Sequence, residues 1–198
     1  MQVSQKRGDT RQKIIEAAIE LFKDRGYSDV SVKDICDHAN VTRNSFYYYF
    51  DTKDLLFDSI GDWVSITAKQ RINDIFGQGS HYQQFWEFYR VYLDVQLEMG
   101  PDIMNHVLFA RTQKGRADHY AYLDDSLSRA MIRLLTLAQK EGQIRNLSSP
   151  VDLLWTSYAV IRGTNIKWCF QWGEPDIITE ARSSFDVLFM PNEGFELK

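Results

Sequence analysis

Apolar residues recur at helical spacing along most of the chain. Between about Thr10 and Arg25, Ile14, Ala18, Leu21 and Phe22 share one face, while Lys13, Glu16, Glu20 and Lys23 lie elsewhere. Gly26 suits the end of that helix. Ser31 offers an N-cap oxygen, and Asp34 three residues later resembles the second half of a capping box, so a short helix is expected from Val32 to Ala39. Asn40 stands where a left-handed turn residue is needed, a conformation Asn tolerates better than most non-glycine residues. Thr42 caps a third short helix ending near Phe50. A fourth, long helix begins at Asp51 or Thr52, carries Leu55, Leu56, Ile60, Val64 and Ile72, and fades at Gly77 and Gly79.

Past that break the pattern predicts longer helices over 81–98, 101–112, 118–141, 149–172 and 176–190. Gly100-Pro101, Lys114-Gly115, Gly142 and Gly173-Glu174-Pro175 separate them. The chain holds only 4 prolines and no alternating Val/Ile/Thr runs joined by hairpin turns. The expected class is all-α. An N-terminal three-helix unit spans 1–51, and a larger helical domain spans 52–198.

Composition sharpens this picture. With 44% hydrophobic and 25% charged residues, 198 residues can build a packed core. The formal net charge is -4. Residues 1–53 carry nine Lys or Arg against eight Asp or Glu, and residues 54–198 carry fourteen against nineteen. The asymmetry has the right sign for an N-terminal nucleic-acid reader, but it is small. Cys36 and Cys169 are far apart and lack CxxC spacing, which argues against a disulfide framework and for a reducing compartment. The first ten residues are polar, without a signal-peptide pattern, and no apolar run reaches bilayer length. A cytoplasmic protein with no membrane contact is expected.

The chemistry concentrates in Ser31 to Lys53, SVKDICDHANVTRNSFYYYFDTK. Two helices of two turns each are joined by three or four residues. Cys36 and Ala39 are small enough for the second helix to cross the first. Asn40 serves the turn, and Ile35, Val41, Phe46, Tyr49 and Phe50 supply a shared core. This is the helix-turn-helix pattern. If Phe46, Tyr49 and Phe50 face inward, Arg43, Asn44, Tyr47 and Tyr48 face outward. Arg43 can read guanine bidentately and Asn44 adenine. Ser31, Thr42, Tyr47 and Lys53 suit phosphate, which positions a protein without reading sequence. The same spacing also fits a compact helical hairpin with a solvated face.

The segments IIEAAIELFKDRGY, SVKDICDHANV and TRNSFYYYFDTKDLL resemble the TetR family of transcriptional repressors, from about Thr10 to Ser59. The resemblance implies that Phe46 to Phe50 is the signature of the recognition helix. Tyr47 and Lys53 would contact backbone phosphates, and Thr42, Arg43, Asn44, Ser45 and Tyr48 would lie at the groove. Two positions depart: Asn40 and Asn44 stand where the family often has Gly or, at the second, another small residue. Asn44 can alter base readout, so no operator sequence carries over. The resemblance also implies a dimer through the last two helices, with Val160, Gly163, Phe185, Leu188 and Phe189 as interface candidates, and release from an operator by a small-molecule effector.

The remaining domain is rich in aromatics, among them Trp63, Tyr82, Phe85, Trp86, Tyr89, Tyr92, Phe109, Tyr120, Tyr122, Trp155, Tyr158 and Trp168. Such a stripe serves as core, or as the wall of a pocket for a flat or apolar ligand. Trp86, Tyr89, Phe109, Trp155 and Tyr158 are the ligand-wall candidates. Arg162, one turn beyond Tyr158, can receive an anionic head group or pair with an acidic neighbour. His38, His81, His106 and His119 lack paired metal-ligand spacing, so neither metal nor cofactor is expected. Two other readings stay open. One is a helical enzyme for an aromatic or acyl substrate, although GxGxxG, GK[ST], HExxH and GxSxG are absent. The other is a helical adaptor that does not bind DNA.

Overall fold

The computed structural model describes residues 2–72, 77–113 and 125–197. Among them are nine α-helices: α1 (Gln2–Arg25), α2 (Val32–Ala39), α3 (Arg43–Tyr49), α4 (Leu56–Ile72), α5 (His81–Met99), α6 (Pro101–Gln113), α7 (Asp125–Lys140), α8 (Pro150–Phe170) and α9 (Ile177–Phe189). The all-α class holds; the described residues contain one isolated β-bridge, Ile144 with Pro191. The stretch 118–124 of the expected seventh helix, with His119, Tyr120 and Tyr122, lies outside the described residues.

Boundaries shifted where a local signal was weak. Helix α1 begins at Gln2 rather than Thr10. No proline interrupts residues 2–10, and a single Gly costs a helix only about 1 kcal/mol. Before α4, Lys53–Leu55 form a 3-10 turn, and Thr52 makes no capping hydrogen bond. An uncapped first turn commonly tightens in this way.

The chain divides into two compact units, Met1–Trp63 with Met99–Arg116, and Val64–Glu98 with Ala117–Lys198. In the first, Ile14, Ala18 and Phe22 of α1 are buried together with Ile35 of α2, Phe46 of α3 and Phe57 and Ile60 of α4. From α6, Ile103, Met104 and Val107 join them. His106 of α6 stacks on Phe57 with ring centroids 4.7 Å apart and lies 4.5 Å from the Tyr27 ring.

In the second unit the core is aromatic. Tyr82 packs on Phe189, Phe85 on Phe185 and Phe189, and Tyr89 on Phe185 at 5.1 Å. Helix α5 therefore runs antiparallel to α9. A tight turn joins α8 to α9 through Trp172, at φ 53, and Gly173, at φ 94. Trp168 Nε1 donates to the Gly173 carbonyl across 3.1 Å. Beyond the turn, Lys167 of α8 pairs with Glu180 of α9 at 2.5 Å. Helices α8 and α9 thus form an antiparallel hairpin, and α5 and α8 run in the same direction.

Candidate nucleic-acid interface and aromatic core

The helix-turn-helix is built by its caps. The Asp34 N–H donates to Ser31 Oγ across 3.2 Å, and the Ser31 N–H donates to the Asp34 carboxylate across 2.8 Å. This closes a full capping box. The Ser31 hydrogen bonds hold the Asp34 carboxyl below its ordinary pKa. Asn40 takes the left-handed conformation at φ 52 and ψ 50, and its N–H returns to the end of α2. The Ser45 N–H donates to Thr42 Oγ1 across 3.1 Å and starts α3. Ser31 and Thr42 are thus helix caps, which occupies one acceptor of each hydroxyl.

Phe46 and Phe50 anchor α3 in the core, with Ile35 and Cys36 beneath. Val41 and Tyr49, expected in that core, are only half-buried. At seven residues, α3 presents too little surface to bury more than one strip. On its outer side Arg43 and Asn44 are exposed and Ser45 is half-buried. Tyr47 and Tyr48 are 51% and 65% exposed. Large aromatics left in water next to Arg and Asn make a face with donors, acceptors and flat apolar surface together.

Lys53 is placed differently. Its ammonium donates to the carbonyls of Tyr27 and Val30, at 2.8 Å and 2.7 Å, and lies 3.8 Å from the centroid of the Tyr27 ring. Burial lowers its pKa. The Tyr27 hydroxyl in turn bonds the Asp54 carboxylate. Burial, then the Asp54 bond, raises the Tyr27 pKa well above its ordinary value. Lys53 thus ties the turn after α1 to the start of α4, with one of its three N–H groups left over. Sequence alone did not point to Tyr27 as its partner.

The ligand-wall candidates separate. Trp86 and Tyr89 are buried on α5. Trp86 packs on Phe185 at 5.2 Å, and the Tyr89 hydroxyl and Ser157 Oγ are 2.6 Å apart. Tyr158 lies 5.8 Å from Tyr89. Trp155 touches Tyr158 at 5.7 Å but is 53% exposed. Arg162 is half-buried. Phe109 belongs to the first unit and is 65% exposed, so it is not part of this cluster. Two of the dimer candidates also move: Phe185 and Phe189 are fully buried in the chain's own core, whereas Val187 between them is 81% exposed.

The described histidines have ordinary partners: His38 bonds Glu20 and His81 bonds Glu141. No group of three His, Cys, Asp or Glu capable of holding a metal occurs among the described residues. Cys36 and Cys169 are buried free thiols, and burial pushes Cys169 up to about 11. No helix among the described residues is long and apolar enough to cross a membrane.

Residues 14–60 match the family model described as "Bacterial regulatory proteins, tetR family". The protein named "Probable acrEF/envCD operon repressor" in Escherichia coli (strain K12) is 45% identical over 202 residues, covering 93% of this chain and 89% of that one. Among solved structures, Thermus thermophilus FadR, described as a TetR family transcriptional repressor in complex with lauroyl-CoA, superposes with a TM-score of 0.62 at 20% identity, covering 90% of this chain and 92% of that one. A TetR transcription regulator from Haloarcula marismortui superposes with a TM-score of 0.68 at 18% identity, covering 92% and 97%. With a relative this similar along nearly its whole length, and with the matched segment falling on the helices that carry Arg43 to Tyr48, the chain belongs to the TetR family of bacterial regulatory proteins.

Proposed function

We propose that the chain is a cytoplasmic, dimeric repressor that binds a pseudo-palindromic operator and leaves it when a small molecule occupies the second unit. Membership of a family of regulators sets the enzyme reading aside. The observation that carries the proposal is the outer face of α3, where Arg43, Asn44, Tyr47 and Tyr48 stand in water on a helix anchored from behind by Phe46 and Phe50. Arg43 and Asn44 read base edges, and Tyr47, Tyr48 and Ser45 flank them. Thr42 keeps an O–H that can turn to phosphate beyond its cap when Ser45 donates to it, whereas the Ser31 O–H is already given to the Asp34 carboxylate, and Lys53 retains one N–H. The Escherichia coli relative's name supports repression.

Effector binding is supported by the aromatic core of the second unit and by the Thermus structure's lauroyl-CoA. Trp86, Tyr89 and Tyr158 lie together there, with Arg162 one turn further along α8. The Trp86 indole N–H is buried without a hydrogen-bond partner. Trp155 suits a different role. With Val151, Gly163, Ile166 and Phe170 it forms an exposed stripe along α8, and apart from the adjoining residues and backbone of α8 itself no atom lies within 4 Å of where a Gly163 β-carbon would be. Beside it, Val160, Leu188 and Val187 line a shallow groove of about 640 Å³. An apolar surface of this kind on the last two helices supports dimerisation there.

Gel shift against DNA from upstream of the coding region, over a salt series, tests the proposal. Tight binding that weakens with salt and is lost in the Arg43→Ala/Tyr47→Ala double variant is the expected result. Absence of binding to that DNA and to a randomised library would overturn it.

A further inference from the structure

Two carboxamides in the second unit have unmet hydrogen-bonding capacity. Gln96 on α5 is 0% exposed, and neither Nε2 nor Oε1 has a hydrogen-bond partner. Asn165 on α8 is buried, and its Oδ1 has no partner. Another buried glutamine of the same unit shows the usual arrangement: Gln143 Oε1 accepts from the Tyr82 N–H and its Nε2 donates to Glu141. A buried polar group without a partner is costly, and native proteins keep few of them.

The two carboxamides occupy equivalent places. Tyr89 and Tyr158 are in ring contact at 5.8 Å. Gln96 follows Tyr89 by seven residues, and Asn165 follows Tyr158 by seven. Seven residues are two turns, about 10 Å along a helix, and return a side chain to within about 20° of the same direction. Since α5 and α8 run the same way, Gln96 and Asn165 stand two turns beyond the tyrosine pair on the same two facing stripes. They do not bond each other. The residues between and after them on these helices, Leu93 and Val95, Ile161 and Trp168, are buried and apolar.

We infer that Gln96 and Asn165 form the polar end of the effector site, and that the effector carries there a neutral head group able both to donate and to accept a hydrogen bond, such as an amide or a hydroxyl. The inference rests on the ligand-responsive reading given above. Gln96 offers two N–H donors and a carbonyl acceptor, and Asn165 offers an acceptor. A head group that only accepts would leave both carbonyls unmet. A carboxylate or ammonium would bury an unpaired charge among Leu93, Val95, Ile161 and Trp168. The tyrosine pair two turns back would lie along the apolar body of the same ligand.

The test is thermal unfolding of the full chain with hexanamide, hexanoate or hexylammonium, which share one chain length and differ in the head. Hexanamide is expected to raise Tm and the two charged probes are not. The shift is expected to be lost in Gln96→Met and reduced in Asn165→Leu. Without probe, Gln96→Met is expected to hold or raise Tm, because it removes an unsatisfied group and retains its volume. A fall of Tm beyond about 4 °C in probe-free Gln96→Met would show the amide already bonded within the protein or to a trapped water, and would overturn the inference. So would no shift with hexanamide, an equal shift with either charged probe, or a hexanamide shift retained in both variants. Gel shift of the probe-free wild type reads DNA binding separately, so a failure of the regulator reading is distinguishable from a failure of this site.

Discussion

The guanidinium of Arg111 on α6 occupies the space that a β-carbon on Gly61 of α4 would fill: Nε, Cζ and Nη2 of Arg111 would all lie within 3.0 Å of it. The Arg111 side chain is buried, and Nη2 pairs with Asp62 Oδ1 at 3.0 Å. A helix-interior glycine is costly, and here it is the absence of a side chain that lets a buried arginine lie against α4. Gly61→Ala is expected to destabilise the protein by about 1–3 kcal/mol, the usual range for overpacking. In an Arg111→Ala background the same change is expected to turn neutral or stabilising, by up to about 1 kcal/mol, since the obstacle is gone and Ala favours the helix. Urea unfolding of the four proteins in this cycle measures the coupling. Additive effects would refute the contact.

Lys53 distinguishes a structural clamp from a DNA contact. Lys53→Met leaves the carbonyls of Tyr27 and Val30 without their donor, and a loss of about 1–3 kcal/mol is expected in urea unfolding. Because burial lowers its pKa, the unfolded chain holds this proton more tightly than the folded one. Its contribution to stability therefore rises with pH between the folded value and about 10.4, the ordinary lysine value. If Lys53 acts chiefly as a clamp, Lys53→Met will change the salt dependence of DNA binding less than Arg43→Ala does. A slope reduced by a full phosphate contact would assign it to DNA instead.

Asp176 caps α9 by accepting from the Thr179 N–H and hydroxyl, at 2.9 Å and 2.6 Å. The Thr179 hydroxyl bond, ahead of the opposing effect of burial, holds its carboxyl below the ordinary value. For a carboxyl depressed in the folded state, the stability it contributes is present above the unfolded value near 3.8 and is lost as pH falls through the folded one. Asp176→Ser keeps a capping oxygen but does not titrate. The wild type is expected to be the more stable of the two at neutral pH, with the gap closing below about pH 4. Thermal unfolding at pH 7 and pH 3 reads this, and a constant gap would count against it.

The helix-turn-helix was legible because its determinants are local. Ser31 with Asp34, Asn40, and Thr42 act within three or four residues, and each took its expected conformation. What was not legible lies across the chain. Nothing near Lys53 in sequence announces that its ammonium turns back to Tyr27. Trp86 and Trp155 sit on helical stripes of the same kind, yet one is buried and the other half exposed, because the choice depends on which neighbouring helix covers each stripe. Phe185 and Val187 differ by two positions on α9 and face opposite ways. For Gln96 there was a signal: it continues the buried run Tyr82, Trp86, Tyr89 and Leu93 at i+3 and i+4 spacing, and a carboxamide in such a register calls for a partner.

Val187 gives the sharpest test of how two copies of the chain associate. It is the most exposed of the large apolar side chains among the described residues, at 81%, and it borders the groove formed with Val160 and Leu188. In a two-fold dimer the same patch meets itself, so a substitution there acts from both sides. Val187→Glu would place two like charges on a desolvated surface and is expected to yield monomer in analytical ultracentrifugation. Thermal stability should change by less than about 1 kcal/mol in any monomeric comparison, since Val187 packs little within its own chain. A monomer presents one recognition helix where a pseudo-palindromic site needs two. Operator affinity is therefore expected to fall by at least tenfold, while binding to a single half-site is unchanged. Trp155→Ser, on the facing stripe of α8, should act in the same direction. If both variants remain dimers, the association surface lies elsewhere and the stripe must have another occupant.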